Sequence, residues 1–595
     1  MDFRARILAT ALVTLPCMVL AACTGGGQAS TSHKDQAAVA LAAGEAPNYI
    51  LPSDTNCTST NNHNLRRLMY KPLYWYGGVP SDEFALNKDL SIAEPPKYNA
   101  DGTKVTVTLK DYKWSDGEPV TSKDIAFYLD LYSASKQHWG CYSPGNVPDN
   151  IKKKQIKDDK TIVLTLDQPY APKWFTVNAL AGIAPLPQHV WDKTSADAKA
   201  GDHPKTKAGY KKVFDFLTEQ AKSLSKYDSD PLWEVVDGPW TLKKFDPRGD
   251  ITFVPNKKYS GSDKPKLDKL IEQRFTTEQA EFDALLSSDS ITTGYIPSQN
   301  AKRKEQVTDK GYSVYRQGNF GSNYIALNWN SNDNASLFRQ LYIRQALQHL
   351  INQPQYVKKA YSGNAAEVHG PVPIKPKNPY ASDVEKSVPY PYDPQKSVQL
   401  LKDHGWTVKP DGISVCTSPG TGAHQCGKGV AKGKKFEWTL VYSKGVESDR
   451  AMQAFQSAAT KAGVKVNLHK ATFDQAVSVA EQCEHGDSKC DWDAVNWGGW
   501  HFGAYPTGED LYINGAASGN FQDDKANKLV IRTKTEGGKK AMTEYQNYVA
   551  KTLPVLWLPR KQGGLSVVRS DLKGFARDKQ SLFGDMYPQY WHFAK

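Results

Sequence analysis

From Lys104 to Lys110 the apolar residues Val105, Val107 and Leu109 alternate with Thr106 and Thr108, the period of a half-buried strand. Asp116 and Gly117 then make a turn. Beyond Pro119, Thr121 with Asp124 three residues on is an N-cap signature, and Ile125, Phe127, Tyr128, Leu129 and Tyr132 continue at helical spacing. The same two periods recur along the chain. Residues 152–157 and 161–166 form a strand pair around Asp158 and Asp159, and residues 278–286 form a helix. Tyr324 to Asn330 is a strand. Phe338 to Ile351 is one long amphipathic helix with Ile343, Leu347, Leu350 and Ile351 on its apolar side. Residues 436–442 and 464–468 are strands with a helix from Asp449 to Lys461 between them, and no internal repeat is visible. The pattern is a mixed α/β (α+β) one.

Length and composition divide this chain further. At 595 residues it exceeds one core and implies two or three domains; mean hydropathy of −0.58 with 11% aromatic residues describes a globular chain rich in Trp and Tyr. Residues 1–22 differ from the rest: Arg4 and Arg6 precede an apolar run from Ile7 to Leu20, followed by Ala21, Ala22 and Cys23. This is a secretory signal, and its end resembles a bacterial lipobox, which implies lipidation of Cys23 and anchorage to the cell membrane. Residues 23–46, rich in Gly, Ala, Ser and Thr, read as a flexible tether. Six further cysteines remain, and in an exported chain an even count favours disulfides. Nearness in sequence pairs Cys416 with Cys426 and Cys483 with Cys490, leaving Cys57 for Cys141. The formal charge is +12, but the lysines are scattered and no nucleic-acid-binding pattern is present.

The stretch from Trp114 to Ile125, placed after a strand, resembles the hallmark segment of the family 5 extracellular solute-binding proteins, the oligopeptide/dipeptide-type receptors of bacterial ABC importers. Other segments are similar to that family: Tyr70 to Tyr74, Ile183 to Val190, Val235 to Phe245 with Trp240 where Tyr is usual, Asn256 to Tyr259, Tyr392 to Trp406, and the pairing of the 324–330 strand with Arg344 to Leu347. The resemblance implies a two-lobed periplasmic-binding-protein-like hinge fold with an extra subdomain in the first lobe. The implied division is signal 1–22, tether 23–46, lobe I 47–320 with an inserted subdomain of about 78–234, lobe II 321–553, and a return to lobe I over 554–595. It also implies a monomeric extracytoplasmic receptor that passes a peptide or other small solute to ABC permease subunits, with no cofactor and no metal.

Peptide-binding members carry a Trp-x-x-Asp-Tyr segment whose carboxylate pairs with the ligand ammonium group. Here residues 496–506 are similar, but one residue is added and Ala504 stands where the aspartate belongs. Either Glu509, Asp510 or Asp493 takes that role, or the ligand lacks a free amine, as an oligosaccharide, blocked peptide or metal chelate would. Trp497, Trp500, His501, Phe502 and Tyr505 are the aromatic candidates for ligand contact, although two of them can instead fill the core. Asn323, Tyr324, Asn328 and Trp329, at the entrance to lobe II, are further candidates. The competing class, an exported hydrolase, finds little support: Gly-x-Ser-x-Gly and His-Glu-x-x-His are absent, and two Ser-x-x-Lys matches at Ser133 and Ser223 lack an accompanying Lys-Thr-Gly. No catalytic residue is expected.

Overall fold

A computed structural model describes residues 35–41, 47–52, 60–79, 84–139, 142, 144–316, 318–480, 482–513, 519–579, 581 and 585–594. The signal, Cys23 and the Cys57–Cys141 pair lie outside the described residues. No helix among the described residues is long and apolar enough to cross a membrane.

Two large sheets carry the chain. The first has seven strands in the order Tyr312–Arg316, Leu565–Arg569, Thr293–Ile296, Gln36–Ala40, Lys269–Gln273, Ile251–Pro255 and Trp240–Phe245. The second runs Lys465–Ala471, Glu437–Ser443, Ala494–Asn496, Gly321–Leu327 and Trp500–His501, with Val555–Leu558 also paired to Gly321–Leu327. Its outer three strands are parallel, as the strand–helix–strand pattern around helix Val446–Lys461 requires. A separate four-stranded antiparallel sheet, Lys97–Tyr98, Lys104–Thr108, Thr161–Leu166 and Ile151–Ile156, is the core of the extra subdomain.

The segment from Trp114 to Ile125 joins that subdomain to the first lobe. Thr121 caps helix Ser122–Ser135: its backbone N–H and hydroxyl both donate to Asp124 (2.7 and 3.2 Å), whose second carboxylate oxygen accepts from the Gln188 backbone N–H at 3.0 Å. Gly117 turns the chain at φ +105°, and the Ser115 N–H donates to Val236 O at 2.8 Å. Trp114 is fully buried beneath this junction, a burial that contributes ~3 kcal/mol.

Three boundaries differ from the sequence expectation. Gln36–Ala40 belongs to the middle of the first sheet, where five residues pair in parallel with Lys269–Gln273, so the tether does not extend to residue 46. Val555–Leu558 lies in the second sheet, and the chain re-enters the first only at Leu565–Arg569; the return crossing therefore falls between 559 and 564 rather than at 554. The helix expected over 338–351 is two helices, Ala335–Phe338 and Leu341–Gln348. They separate at Gln340, whose backbone is extended (φ −82°, ψ 122°) and whose side chain donates to Ser336 O and to Lys428 O. Cys416–Cys426 and Cys483–Cys490 stand as expected, bonded with Cα separations of 6.1 and 5.6 Å.

Candidate functional site

Every residue of Gly321–Leu327 is buried. One side of the strand takes Val555–Leu558. The other side takes two short strands in succession, Ala494–Asn496 opposite Ala326 and Leu327, and Trp500–His501 opposite Gly321 and Ser322. Between them Trp497, Gly498 and Gly499 form a bulge that shifts the register by one residue. The two glycines sit at φ +105° and +96°, a backbone that side-chain-bearing residues rarely adopt. A Cβ on Gly499 would meet the Ser322 carbonyl, and one on Gly321 the Trp500 carbonyl; at Gly498 nothing lies within 4 Å. The glycines thus allow close approach of two backbones, while the bulge itself faces open space. Among the described residues Trp500–His501 pairs on one side only, which leaves its outer edge able to pair with another chain.

The aromatic candidates divide. Trp497 and Trp500 are half-buried and His501 is exposed, all on this free edge. The Trp497 indole donates to Gly499 O at 3.0 Å and stands edge-on to Tyr324. Phe502 and Tyr505 are core, 4% and 2% exposed. Phe502 meets Phe320, which meets Phe84 of the first lobe; Tyr505 meets Tyr380. A chain of aromatic edges therefore runs from one lobe into the other beneath the free edge.

Four candidates from the lobe entrance serve the scaffold instead. Asn323 is buried, donating to Pro559 O at 3.0 Å and accepting from Asn496 at 2.9 Å. Tyr324 is buried under Trp497 and Trp557, and its hydroxyl pKa is pushed far up by burial. Asn328 is fully buried and donates to Trp492 O at 2.9 Å while accepting from Asn520 at 2.8 Å, which fixes the loop closed by Cys483–Cys490. Trp329 donates to Pro554 O at 3.1 Å and lies under the Arg344 guanidinium, 4.4 Å from the ring centre. These strand residues point into the lobe because their polar atoms satisfy neighbouring loops.

The replacement carboxylates fare similarly. Glu509 faces Lys534 at 3.5 Å, with side chains only 8% and 9% exposed, so its charge is already offset. Asp493 accepts from Ser331, Asn334 and the Thr439 N–H at 2.7 to 2.9 Å. The Asp510 side chain lies outside what is described. Ala504 is itself 3% exposed.

Three contributors were missed by sequence reasoning. Arg560, 7% exposed, donates to Asn319 Oδ1 through Nε (3.2 Å) and Nη2 (2.9 Å), to Gly498 O through Nη1, and to His501 Nε2 at 2.7 Å. Because arginine only donates, His501 Nε2 accepts and the ring proton sits on Nδ1. Desolvation of the ring, followed by the Arg560 charge, pushes the His501 pKa down, so the ring is neutral at physiological pH. Arg560 follows the buried strand Val555–Leu558 and in sequence looks like an ordinary charged strand end. Lys534 and Asn178 bind the extra subdomain to the second lobe. Lys534 Nζ donates to Asn146 Oδ1 (2.8 Å) and lies 4.6 Å over the Trp174 ring, its backbone carbonyl accepts from Ala171 N–H (2.9 Å), and Asn178 donates to Tyr505 O (3.0 Å). No sequence period marks such pairs, since each joins segments more than 300 residues apart.

Residues 90–523 match the description of Bacterial extracellular solute-binding proteins, family 5 Middle. A Brucella ovis protein named as an ABC transporter peptide-binding protein is 29% identical over 319 residues, 53% of this chain and 51% of that one. The glutathione-binding protein GsiB of Salmonella typhimurium is 27% identical over 404 residues, 64% and 67% of the two chains. The chain thus spans about half the length of the first of these relatives and two thirds of the second. Among solved structures, the oligopeptide-binding protein AppA of Bacillus subtilis, in complex with a nonapeptide, superposes with a TM-score of 0.69 at 21% identity, covering 94% of this chain and 99% of that one. The DppA protein of Helicobacter pylori, in complex with the peptide STSA, gives 0.66 at 18% identity, covering 95% and 99%.

Proposed function

Because this chain belongs to the bacterial extracellular solute-binding proteins of family 5, we propose that it captures a peptide between its lobes, outside the cytoplasm, and delivers it to an ABC permease. In this reading it binds without turning over its ligand, is held at the membrane through lipidated Cys23, and acts as a monomer. The observation that carries the peptide reading is the free edge of Trp500–His501. An extended peptide added there gains main-chain hydrogen bonds, while Trp497 and Trp500 offer faces for its side chains. The names of the relatives, which refer to peptides and to glutathione, agree with this ligand class.

One observation favours a second reading within the same receptor role. Ala504 supplies no carboxylate, and Glu509 and Asp493 are already engaged. A buried ammonium group left unpaired costs several kcal/mol. The ligand is then a blocked peptide, an oligosaccharide or a chelate, without a free amine to satisfy.

Native mass spectrometry of the mature protein, refolded free of ligand and offered free and N-acetylated pentapeptide pools beside an oligosaccharide pool, decides between them. Capture of peptides in either form is the expected outcome, and preference for the acetylated pool would make Ala504 the mark of amine-blind recognition. Capture of sugars alone would remove the peptide assignment.

A further inference from the structure

Arg560 is a buried cation without a counter-ion among the described residues. All its partners are neutral: an amide oxygen, a backbone carbonyl and an imidazole nitrogen. Among the described residues it makes no ion pair, whereas the adjacent Lys561 pairs with Glu447 at 2.9 Å. Burial pushes its pKa down only to about 10, so it keeps its charge at neutral pH. The cost of such a charge is several kcal/mol unless something offsets it.

Arg344, also buried, shows what an internal solution looks like. Its guanidinium donates to Thr552 O (2.9 Å) and Phe338 O (2.6 Å), the carbonyl ends of helices Gly538–Thr552 and Ala335–Phe338, where the helix dipoles favour a cation. Arg560 has no such terminus beside it. Its surroundings are strand ends and the glycine bulge, and it lies where the free edge begins.

One guanidinium donor remains. Of five guanidinium N–H groups, the four contacts above leave one on Nη1. The Gly498 whose carbonyl Arg560 holds borders open space.

The geometry points to Arg560 as the receptor for a ligand carboxylate seated beside Gly498 and His501. This deepens the reading above, since it rests on a ligand lying along the Trp500–His501 edge. An arriving carboxylate accepts the spare Nη1–H and offsets the buried charge. His501, neutral and accepting from Arg560, helps hold the guanidinium in place and adds no charge.

The test compares probes differing only in a carboxylate, offered to the refolded mature protein and read by titration calorimetry. The peptide probes are a pentapeptide pool free of Asp and Glu, the same pool C-amidated, and an amidated pool containing Glu. The sugar probes are uronate and neutral oligosaccharides of equal length. The wild type is expected to favour carboxylate-bearing probes at least ~10-fold, as a charge-assisted contact to a buried guanidinium implies. Arg560→Gln should bring that ratio to about 1 and Arg560→Lys should restore part of it, with the Lys variant carrying the test if the Gln variant fails to fold. Preference for the free terminus identifies a C-terminal carboxylate; preference for the amidated Glu pool identifies a side chain. Equal wild-type binding of carboxylate-bearing and carboxylate-free probes of every kind, a ratio unchanged in Arg560→Gln, or binding of no probe overturns the assignment. Uronates captured through Arg560, with peptides ignored, would uphold the carboxylate receptor and remove only the peptide reading.

Discussion

An ionised carboxylate far from water weighs against folding unless something donates to it, and Glu272 has no donor among the described residues. It is fully buried in strand Lys269–Gln273, and burial pushes its pKa up to about 8. Between the unfolded value near 4.5 and about 8, the folded state holds a proton that the unfolded state has released. Glu272 therefore makes the first lobe less stable as pH rises through that window. Glu272→Gln should leave stability at pH 5 nearly unchanged and raise it at pH 9 by on the order of 3 kcal/mol. Calorimetric melting across pH would show the two curves diverging; parallel curves would mean that the carboxylate has a partner. Little at this scale was legible beforehand. Trp500 and His501 could be picked out because the glycine pair beside them announces irregular backbone. Asn328 and Trp329, chosen for their place at the entrance to lobe II, turned inward, because the sequence does not say which side of the strand end meets solvent.

At the scale of elements, the 496–501 bulge makes the free edge possible, and its two glycines are not equivalent. Gly499→Ala combines a positive φ with a Cβ driven into the Ser322 carbonyl, and should cost ~3 kcal/mol, whereas Gly498→Ala, with open space around it, should cost only the ~1 kcal/mol of left-handed backbone. Urea unfolding of the two variants measures the difference, and equal losses would mean that the sheet does not close as tightly here as described. Strands and helices with strong alternation or caps, such as Lys104–Thr108 and Ser122–Ser135, were readable from local pattern alone. Gln36–Ala40 was not. Its sequence, Gln-Ala-Ala-Val-Ala, has weak strand propensity, and it becomes a strand only through partners more than 200 residues away.

For the whole molecule, the two-lobed plan was legible through the family resemblance of Trp114 to Ile125 and of the 324–330 strand with Arg344 to Leu347; in the structure Tyr312–Arg316 and Gly321–Leu327 mark one crossing and Val555–Leu558 and Leu565–Arg569 the other. The contacts that hold the extra subdomain against the second lobe were not, being single side chains. Removing two of them in Asn146→Ala/Asn178→Ala should shift the ligand-free protein toward an opened form. The expected readings are a radius of gyration larger by on the order of 1 Å in solution scattering and an apparent affinity weaker by ~3-fold, as a smaller closed fraction requires. An unchanged profile would mean that the aromatic edges from Phe84 to Phe502 suffice to hold the lobes together. The position of Gln36–Ala40 carries a mechanical consequence as well. It runs parallel to Lys269–Gln273 in mid-sheet, so a pull through the preceding segment loads its whole ladder in shear, and the hydrogen bonds share the force at once. A hairpin at a sheet edge would unzip one bond at a time; if the chain is moored through Cys23, as proposed above, it is fastened here where it resists tearing best.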